Sequence, residues 1–184
     1  MSFDKMFGRV IGHEGKFQNN HGDRGNWTSG VVGEGELRGT KYGVSAMSYP
    51  DEDIRNLTYA RAKDIYREDF WLRVGGDKLH AAVAFQLFDA AINHGIGNAV
   101  RMLQRAVDVA DDGVVGEVTR GAIQETGVDD TLKLFNAERI VFFTKISTFD
   151  RFGRGWMRRV AQNLRYAADD YDAPWHEQVV LYAS

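Results

Sequence analysis

The start of the chain carries the hydrophobic pattern of an amphipathic helix. Its apolar side chains recur every three to four residues and predict one apolar helical face: Phe3, Met6, Phe7, Val10 and Ile11. Glu14 continues this stripe four residues after Val10, and Gly15 is the predicted end of the helix. Burial and the negative end of the helix dipole both raise a carboxyl pKa, so the pattern predicts that Glu14 can act as a general acid. The alternative is that the stripe ends before Glu14 and that this carboxylate faces water.

A glycine-rich polar segment follows, from Gly15 to about Ser48. It is too long for a plain connection, and the apolar residues within it predict an ordered lobe with one or two short β-hairpins around Gly30–Gly39. Asp23 follows Glu14 after eight intervening residues, and a loop of this kind can bring the two carboxylates together. Two carboxylates flanking a sugar bond are the basic requirement of most glycosidases, so this spacing is compatible with glycoside hydrolysis.

The middle of the chain predicts a buried helix. Thr58 is the predicted N-cap of a helix that runs to about Arg73. The segment Leu79–Ile92 is apolar around nearly the whole helical circumference, which is typical of a central buried helix. Asn93 and His94 at its end are interpreted either as capping groups or as groups that line a cleft.

Further helices are predicted towards the end of the chain. Caps are expected at Asn98 and at Asp129 or Asp130, and the last helix is expected from about Arg154 through Tyr171. The predicted fold class is therefore mainly α, with about seven helices around one central apolar helix. An irregular or short β-hairpin lobe is inserted after the first helix.

Composition and charge narrow the classes of function. The chain has 184 residues, a net charge of −3 and no cysteine, which argues against a nucleic-acid-binding protein and excludes disulfides and thiol nucleophiles. It shows neither a signal-peptide pattern nor the roughly 18 consecutive apolar residues of a membrane span. We therefore expect cytoplasmic synthesis, no stable membrane insertion, and export only with help. The histidines lack metal-ligand spacing, so no metal or cofactor is expected.

Several blocks of sequence together carry a family resemblance. They are HEGKF at 13–17, TKYGVS at 40–45, DIRNLT at 53–58, IYREDFW at 65–71, LFDAAINHGIGNAVRMLQRA at 87–106, DDGVVGEVT at 111–119 and FGRGWMRRV at 152–160. In this order they resemble glycoside hydrolase family 108, a family of muramidases. Its members are phage endolysins and bacterial or prophage-derived proteins. The resemblance implies a lysozyme-like helical domain with a muramidase region over residues 1–95. It also implies a peptidoglycan-binding-like helical region over residues 96–184, packed as one globule with the first.

The resemblance also implies roles for individual residues. The catalytic glutamate of the family's EGGY motif falls on Glu14, where this chain has Glu-Gly-Lys-Phe. The acidic loop of the family falls on Asp23, and its threonine falls most naturally on Thr40, with Thr28 as the competing candidate. The expected substrate-binding residues are two side chains at the groove and three aromatic rings that could stack on sugars: Asn93, His94, Tyr42, Trp27 and Trp71.

The implied activity is hydrolysis of peptidoglycan at the β-1,4 bond between N-acetylmuramic acid and N-acetylglucosamine. Glu14 would protonate the leaving oxygen, Asp23 would stabilise positive charge on the sugar or activate water, and Thr40 would position that water. We expect a monomer that binds glycan strands and acts in the periplasm or cell wall after release by a holin or a secretion system. The alternatives are a lytic transglycosylase, which uses no water, and a non-catalytic peptidoglycan-binding or secretion accessory protein.

Overall fold

The computed structural model describes residues 2–12 and 16–171. The described chain divides into two compact units, a first unit over Phe3–Arg67 and a second unit that comprises Ser2 and the chain from Glu68 onwards. The boundary expected at residue 95 separates two functional regions, not two compact units. It stays a prediction. No helix in these described ranges is long and apolar enough to span a membrane.

The first unit begins with the predicted amphipathic helix. Helix α1 covers Phe3–Ile11, and the Phe7 ring lies 5.0 Å from the Tyr59 ring, centroid to centroid. Tyr59 begins helix α2, Tyr59–Tyr66, whose predicted cap is confirmed because the Thr58 hydroxyl accepts a hydrogen bond from the Arg61 N–H at 3.1 Å. Within this unit Met6 and Phe7, the centre of the apolar stripe of α1, are buried, whereas Phe3, Val10 and Ile11 stay partly exposed.

Helix α1 ends earlier than the hydrophobic stripe suggested. Gly12 adopts a left-handed backbone with φ of +56°, and its N–H donates to the Gly8 carbonyl at 3.0 Å. Gly12, rather than Gly15, is therefore the residue that ends the helix. The predicted position of Glu14 in the last helical turn falls on a residue that lies outside the described ranges. It therefore stays a prediction, together with the argument from the helix dipole.

An irregular lobe follows α1 in the first unit. A short 3₁₀ helix covers Arg24–Asn26, and strands β1, Thr40–Lys41, and β2, Val44–Ser45, pair in antiparallel register. Tyr42 and Gly43 connect these strands with φ of +52° and +74°, the combination of a type I′ turn. The β1–β2 hairpin thus lies directly after the segment Gly30–Gly39 in which a hairpin was expected.

The second unit is a helical assembly around the most apolar segment of the chain. A π-helical turn over Arg67–Trp71 and a 3₁₀ helix over Gly76–Lys78 precede helix α3, Ala81–His94. The remaining helices are α4, Ile96–Ala106, α5, Glu117–Thr126, α6, Val128–Thr144, and α7, Phe149–Tyr171. Every residue from Ala81 through Ala91 is buried, and α3 packs against α4, α6 and α7. The predictions of a mainly α fold and a central apolar helix are confirmed.

Two predicted helix starts in the second unit were misplaced. Helices α4 and α6 begin after Gly95 and Gly127, which have φ of +79° and +81°. Asn98 lies inside the first turn of α4, where its side chain donates to the His94 carbonyl at 2.9 Å. Asp129 also lies inside its helix and pairs with Lys133 at 2.5 Å. Glycine was overlooked as the start signal because it provides no side-chain cap.

A buried carboxylate joins three helices of the second unit. Asp89 of α3 is 2 % exposed, and its Oδ2 accepts hydrogen bonds from Arg139 Nη2 of α6 at 2.7 Å and Asn163 Nδ2 of α7 at 2.5 Å. Its Oδ1 accepts from Arg159 Nη2 of α7 at 2.6 Å. Burial raises the pKa of Asp89, but the two guanidinium groups more than offset it and hold this pKa below its usual range. The carboxylate is therefore ionised and fully paired in the core.

Replacing Asp89 should strongly destabilise the second unit. In Asp89→Asn the fully buried Arg139 loses its counter-charge, so we expect the free energy of unfolding to fall by about 3–5 kcal/mol. Urea unfolding followed by circular dichroism measures this loss. The matched control is Asp169→Asn on the exposed part of α7, for which we expect a change within about 0.5 kcal/mol. Equal, small effects of both variants would contradict the role assigned to Asp89.

Candidate active site

Asp23 stands at the surface of the irregular lobe in the first unit. It is the N-cap of the 3₁₀ helix Arg24–Asn26, and its Oδ1 accepts a hydrogen bond from the Gly25 N–H at 2.9 Å. Its Oδ2 accepts a second bond from Gln18 Nε2 at 3.3 Å. The carboxylate is exposed, but both of its oxygens are oriented by the lobe. Asp23 thus combines solvent access with a fixed direction, as a group that acts on a sugar or a water must.

A buried amide connects Asp23 to Thr40. The Asn26 side chain is fully buried, and its amide pairs reciprocally with that of Gln18, with N···O distances of 2.8 and 3.1 Å. Asn26 Oδ1 also accepts from the Thr40 hydroxyl at 2.7 Å, and Asn26 Nδ2 donates to the Asn20 carbonyl at 3.0 Å. Gln18 thereby contacts both Asp23 and Asn26, and the whole set forms one hydrogen-bonded network.

The backbone around this network fixes the same residues a second time. Gln18 and Thr40 exchange two backbone hydrogen bonds, at 2.9 and 2.8 Å. Gly39, directly before Thr40, has φ of +87°, and a Cβ there would lie 2.5 Å from the Gln18 carbonyl oxygen. Glycine is therefore required for the close approach of these two segments.

The two candidate threonines have different surroundings. Thr40 is half-buried and belongs to the Asp23 network. Thr28 instead accepts a hydrogen bond from the Glu36 N–H at 3.0 Å, and its backbone N–H donates to the Glu36 carbonyl at 3.0 Å. Thr28 thus closes the loop between Trp27 and Leu37, which form an isolated β-bridge. The geometry favours Thr40 as the threonine that accompanies Asp23.

Two of the predicted sugar-stacking rings lie in the same lobe. Trp27 is partly exposed, and its indole Nε1 donates to the His21 carbonyl at 2.9 Å while its ring meets the His21 ring edge-on at 6.0 Å. Tyr42 is also partly exposed and lies edge-on to Tyr59 at 5.7 Å. As a non-glycine residue at positive φ, Tyr42 adopts a backbone conformation that costs about 1–2 kcal/mol. Both rings keep accessible surface in the lobe that holds Asp23.

Trp71, in contrast, is a core residue of the second unit. Its side chain is 4 % exposed, its Nε1 donates to Asp77 Oδ1 at 2.6 Å, and its ring lies edge-on to Phe88 at 5.7 Å. A buried ring presents no face to a sugar. The expectation that Trp71 stacks on substrate is therefore corrected: its aromatic area contributes to packing.

Asn93 and His94 also have structural surroundings. Asn93 Nδ2 donates to the Asp89 carbonyl one turn earlier in α3, at 2.6 Å. His94 lies against the rings of Phe142 and Phe143 in α6, at 4.9 and 4.7 Å, and within the described residues its buried Nε2 has no hydrogen-bond partner. Burial, followed by the nearby Arg139 charge, lowers the pKa of His94 to about 4. These contacts favour capping and packing over cleft lining.

The comparisons with known proteins cover both parts of the chain. The sequence model of the family described as Glycosyl hydrolase 108 matches residues 7–95, and that described as Predicted Peptidoglycan domain matches residues 98–161. The solved structure of Brucella abortus SagA is similar over 92 % of this chain and 95 % of that chain, with 30 % sequence identity and a TM-score of 0.76. This chain belongs to the glycosyl hydrolase 108 family. No curated protein sequence matches it.

Membership in the glycosyl hydrolase 108 family identifies the chain as a peptidoglycan-related glycoside hydrolase. The catalytic family match includes the complete network of Asp23, Asn26 and Thr40. Over the described ranges, no group of three or more histidine, aspartate or glutamate side chains is arranged to hold a metal ion.

Sequence reasoning missed Gln18 and Asn26. Both are ordinary polar residues in a segment with the composition of a loop, and no spacing marks them. A weak signal was available, since asparagine between two candidate site residues can satisfy backbone and side-chain partners at once. Only the fold shows that Asn26 is buried.

Asn26 should be the most sensitive polar position of the first unit. Asn26→Ala removes an acceptor from Thr40 and leaves Gln18 and the Asn20 carbonyl without their partner, so we expect the free energy of unfolding to fall by about 2–4 kcal/mol. Differential scanning calorimetry measures the change. Asn19→Ala, at the exposed neighbouring asparagine, is the control and should stay within about 0.5 kcal/mol. If Asn26→Ala left the free energy of unfolding unchanged, the central role of Asn26 in this network would be contradicted.

His94 should make the stability of the protein depend on pH. The folded state keeps this imidazole neutral down to about pH 4, whereas a histidine in an unfolded chain has its ordinary pKa of about 6.5. The unfolded state therefore binds the additional proton, and stability is lost as the pH falls from 6.5 towards 4, on the order of 2 kcal/mol for a partly buried ring. Urea unfolding between pH 4 and 8 measures this slope. His94→Gln should flatten it, and an unchanged slope would contradict the assignment.

Proposed function

We propose that this protein is an N-acetylmuramidase that hydrolyses the β-1,4 bond between N-acetylmuramic acid and N-acetylglucosamine. The network that joins Asp23, Gln18, Asn26 and Thr40 is the observation that carries the proposal. Glu14 is assigned as the general acid from its position in the family motif. The proposed substrate is the glycan strand, and the family match supports peptidoglycan as its source.

The hydrogen-bond directions suggest how water is activated. The Thr40 hydroxyl uses its hydrogen to bond Asn26 Oδ1, so its lone pairs remain available to accept a hydrogen bond from water. Each Asp23 oxygen accepts one bond from the protein and keeps further acceptor capacity. A water that donates to both Asp23 and Thr40 directs its own lone pair towards the anomeric carbon.

The chemical step then needs two carboxyl groups with different tasks. Glu14 gives its proton to the glycosidic oxygen as the bond to the anomeric carbon breaks, and Asp23 takes a proton from the attacking water. Thr40 holds that water, while Trp27 and Tyr42 supply aromatic surface for the sugar rings. Asp23 and Thr40 have no such task in a lytic transglycosylase, where the muramic acid hydroxyl attacks instead of water.

The cellular context is part of the same proposal. A muramidase of this kind acts in the periplasm or cell wall. Release from the cytoplasm would be provided by a holin pore or a secretion system, and a monomer is the working form.

Digestion of purified sacculi tests the proposal directly. Mass spectrometry of the soluble fragments should show reducing muramic acid ends with the wild type and none with Glu14→Gln. We expect Asp23→Asn to lower the rate by about 10²–10⁴-fold, and Thr40→Val to lower it less. Thr28→Val is the matched control and should retain the wild-type rate, because Thr28 lies outside the network.

Other outcomes would reject specific parts of the proposal. Fragments with anhydro-muramic acid ends, formed equally by Asp23→Asn, would indicate a lytic transglycosylase. Binding to sacculi without any bond cleavage would indicate a peptidoglycan-binding accessory protein. Loss of activity in Thr28→Val with retention in Thr40→Val would exchange the roles of the two threonines.

A further inference from the structure

A charged pocket lies in the first unit beside the Asp23 network. Its volume is about 340 Å³, within the usual size range of small-molecule sites. The lining residues come from two segments, Leu37–Arg38 and Asp51–Arg55. Ile54 forms a buried apolar part of the wall at 1 % exposure. The pocket therefore combines an apolar surface with charged groups of both signs.

The positive side of the pocket is held in place. Arg38 Nε pairs with Glu36 Oε2 and Arg38 Nη1 donates to the Pro50 carbonyl, each at 2.7 Å, which leaves Nη2 for a ligand. The Arg55 guanidinium lies over the Phe17 ring at 4.8 Å. Arginine stacked on an aromatic ring keeps its N–H groups free to bind a carboxylate in the plane of the guanidinium.

The negative side is provided by neighbouring carboxylates. Asp53 accepts two hydrogen bonds from Asn56, at 2.8 and 3.3 Å, which orient it and lower its pKa. Glu52 is occupied by an ion pair with Arg61. Across the described chain, Asp51 has no side-chain hydrogen bond or ion pair, and its carboxylate is exposed. Asp51 is therefore the group most available to a cationic ligand.

This pocket is coupled to the candidate active site through the backbone. The Asn26 carbonyl accepts hydrogen bonds from the Arg38 and Gly39 N–H groups at 2.9 and 3.0 Å, while the Asn26 side chain holds Thr40. On the other side, Lys41 Nζ donates to the Arg55 carbonyl at 3.2 Å. A ligand in the pocket would thus lie on the same lobe as the proposed hydrolytic groups.

We propose that the pocket binds the peptide stem of the substrate at the zwitterionic end of its diamino acid. The ammonium is placed at Asp51 and Asp53, and the carboxylate at Arg38 and Arg55. The side chain of diaminopimelate ends in such a zwitterion. The lysine side chain ends in an ammonium alone, which offers no carboxylate to the two arginines. This inference rests on the proposed muramidase function, because the stem is attached to the muramic acid beside the bond to be cut.

Titration with two free tetrapeptide stems tests the pocket independently of catalysis. Calorimetry should show that the diaminopimelate stem binds about tenfold more tightly than the lysine stem, a difference of about 1.4 kcal/mol. We expect Asp51→Asn and Arg55→Gln each to weaken the diaminopimelate stem about fivefold with an unchanged melting temperature. Asp64→Asn, on the exposed face of α2, is the control and should bind like the wild type.

This inference would be overturned if the two stems bound equally or if neither bound. It would also be overturned if Asp51→Asn and Arg55→Gln left the binding of the diaminopimelate stem unchanged.

Cleavage assays distinguish a failure of this inference from a failure of the proposed function. If the wild type cuts glycan strands stripped of stems as fast as intact strands, the stem site is wrong and the muramidase proposal stands. If neither strand is cut while the diaminopimelate stem still binds selectively, the stem site stands and the muramidase proposal fails.

Discussion

The buried amide of Asn26 is the constraint on which the candidate active site depends. The lobe around it has only two strands of two residues each within its described part, so regular backbone pairing alone cannot order it. A buried amide must satisfy its polar atoms inside the protein, and Asn26 does so with Gln18, Asn20 and Thr40. The requirement to satisfy one buried side chain therefore positions several exposed groups of the lobe.

The second unit is held by a different combination of forces. Burial of the apolar helix α3 provides the hydrophobic stabilisation, which is not directional. The ion pairs of Asp89 with Arg139 and Arg159 specify instead which faces of α6 and α7 meet α3. A buried ion pair adds little net stability compared with apolar packing, but alternative helix arrangements would leave its charges unpaired. Arg159 of α7 thus has a structural task.

The chemistry proposed for the first unit follows from having accessible groups on an ordered lobe. Asp23 and Thr40 keep acceptor capacity for water, and the adjacent pocket offers charges of both signs. Peptidoglycan is itself a composite of neutral sugars and charged peptides. A lobe with an uncharged aromatic surface and a zwitterionic pocket matches both components, which is a physical reason for these features to occur together.

The sequence by itself determined the elements whose signal is local. Hydrophobic periodicity specified α1 and the central helix α3, and the Thr58 cap specified the start of α2. The family was specified by the family-like blocks of sequence and their order along the chain. Only the tertiary structure decided the end of α1 at Gly12, the burial of Trp71, and the pairing of Asp89 with Arg139, which are 50 residues apart. The same holds for the role of Asn26. Burial and long-range pairing depend on which segments meet in space, and no local pattern of residue types encodes that.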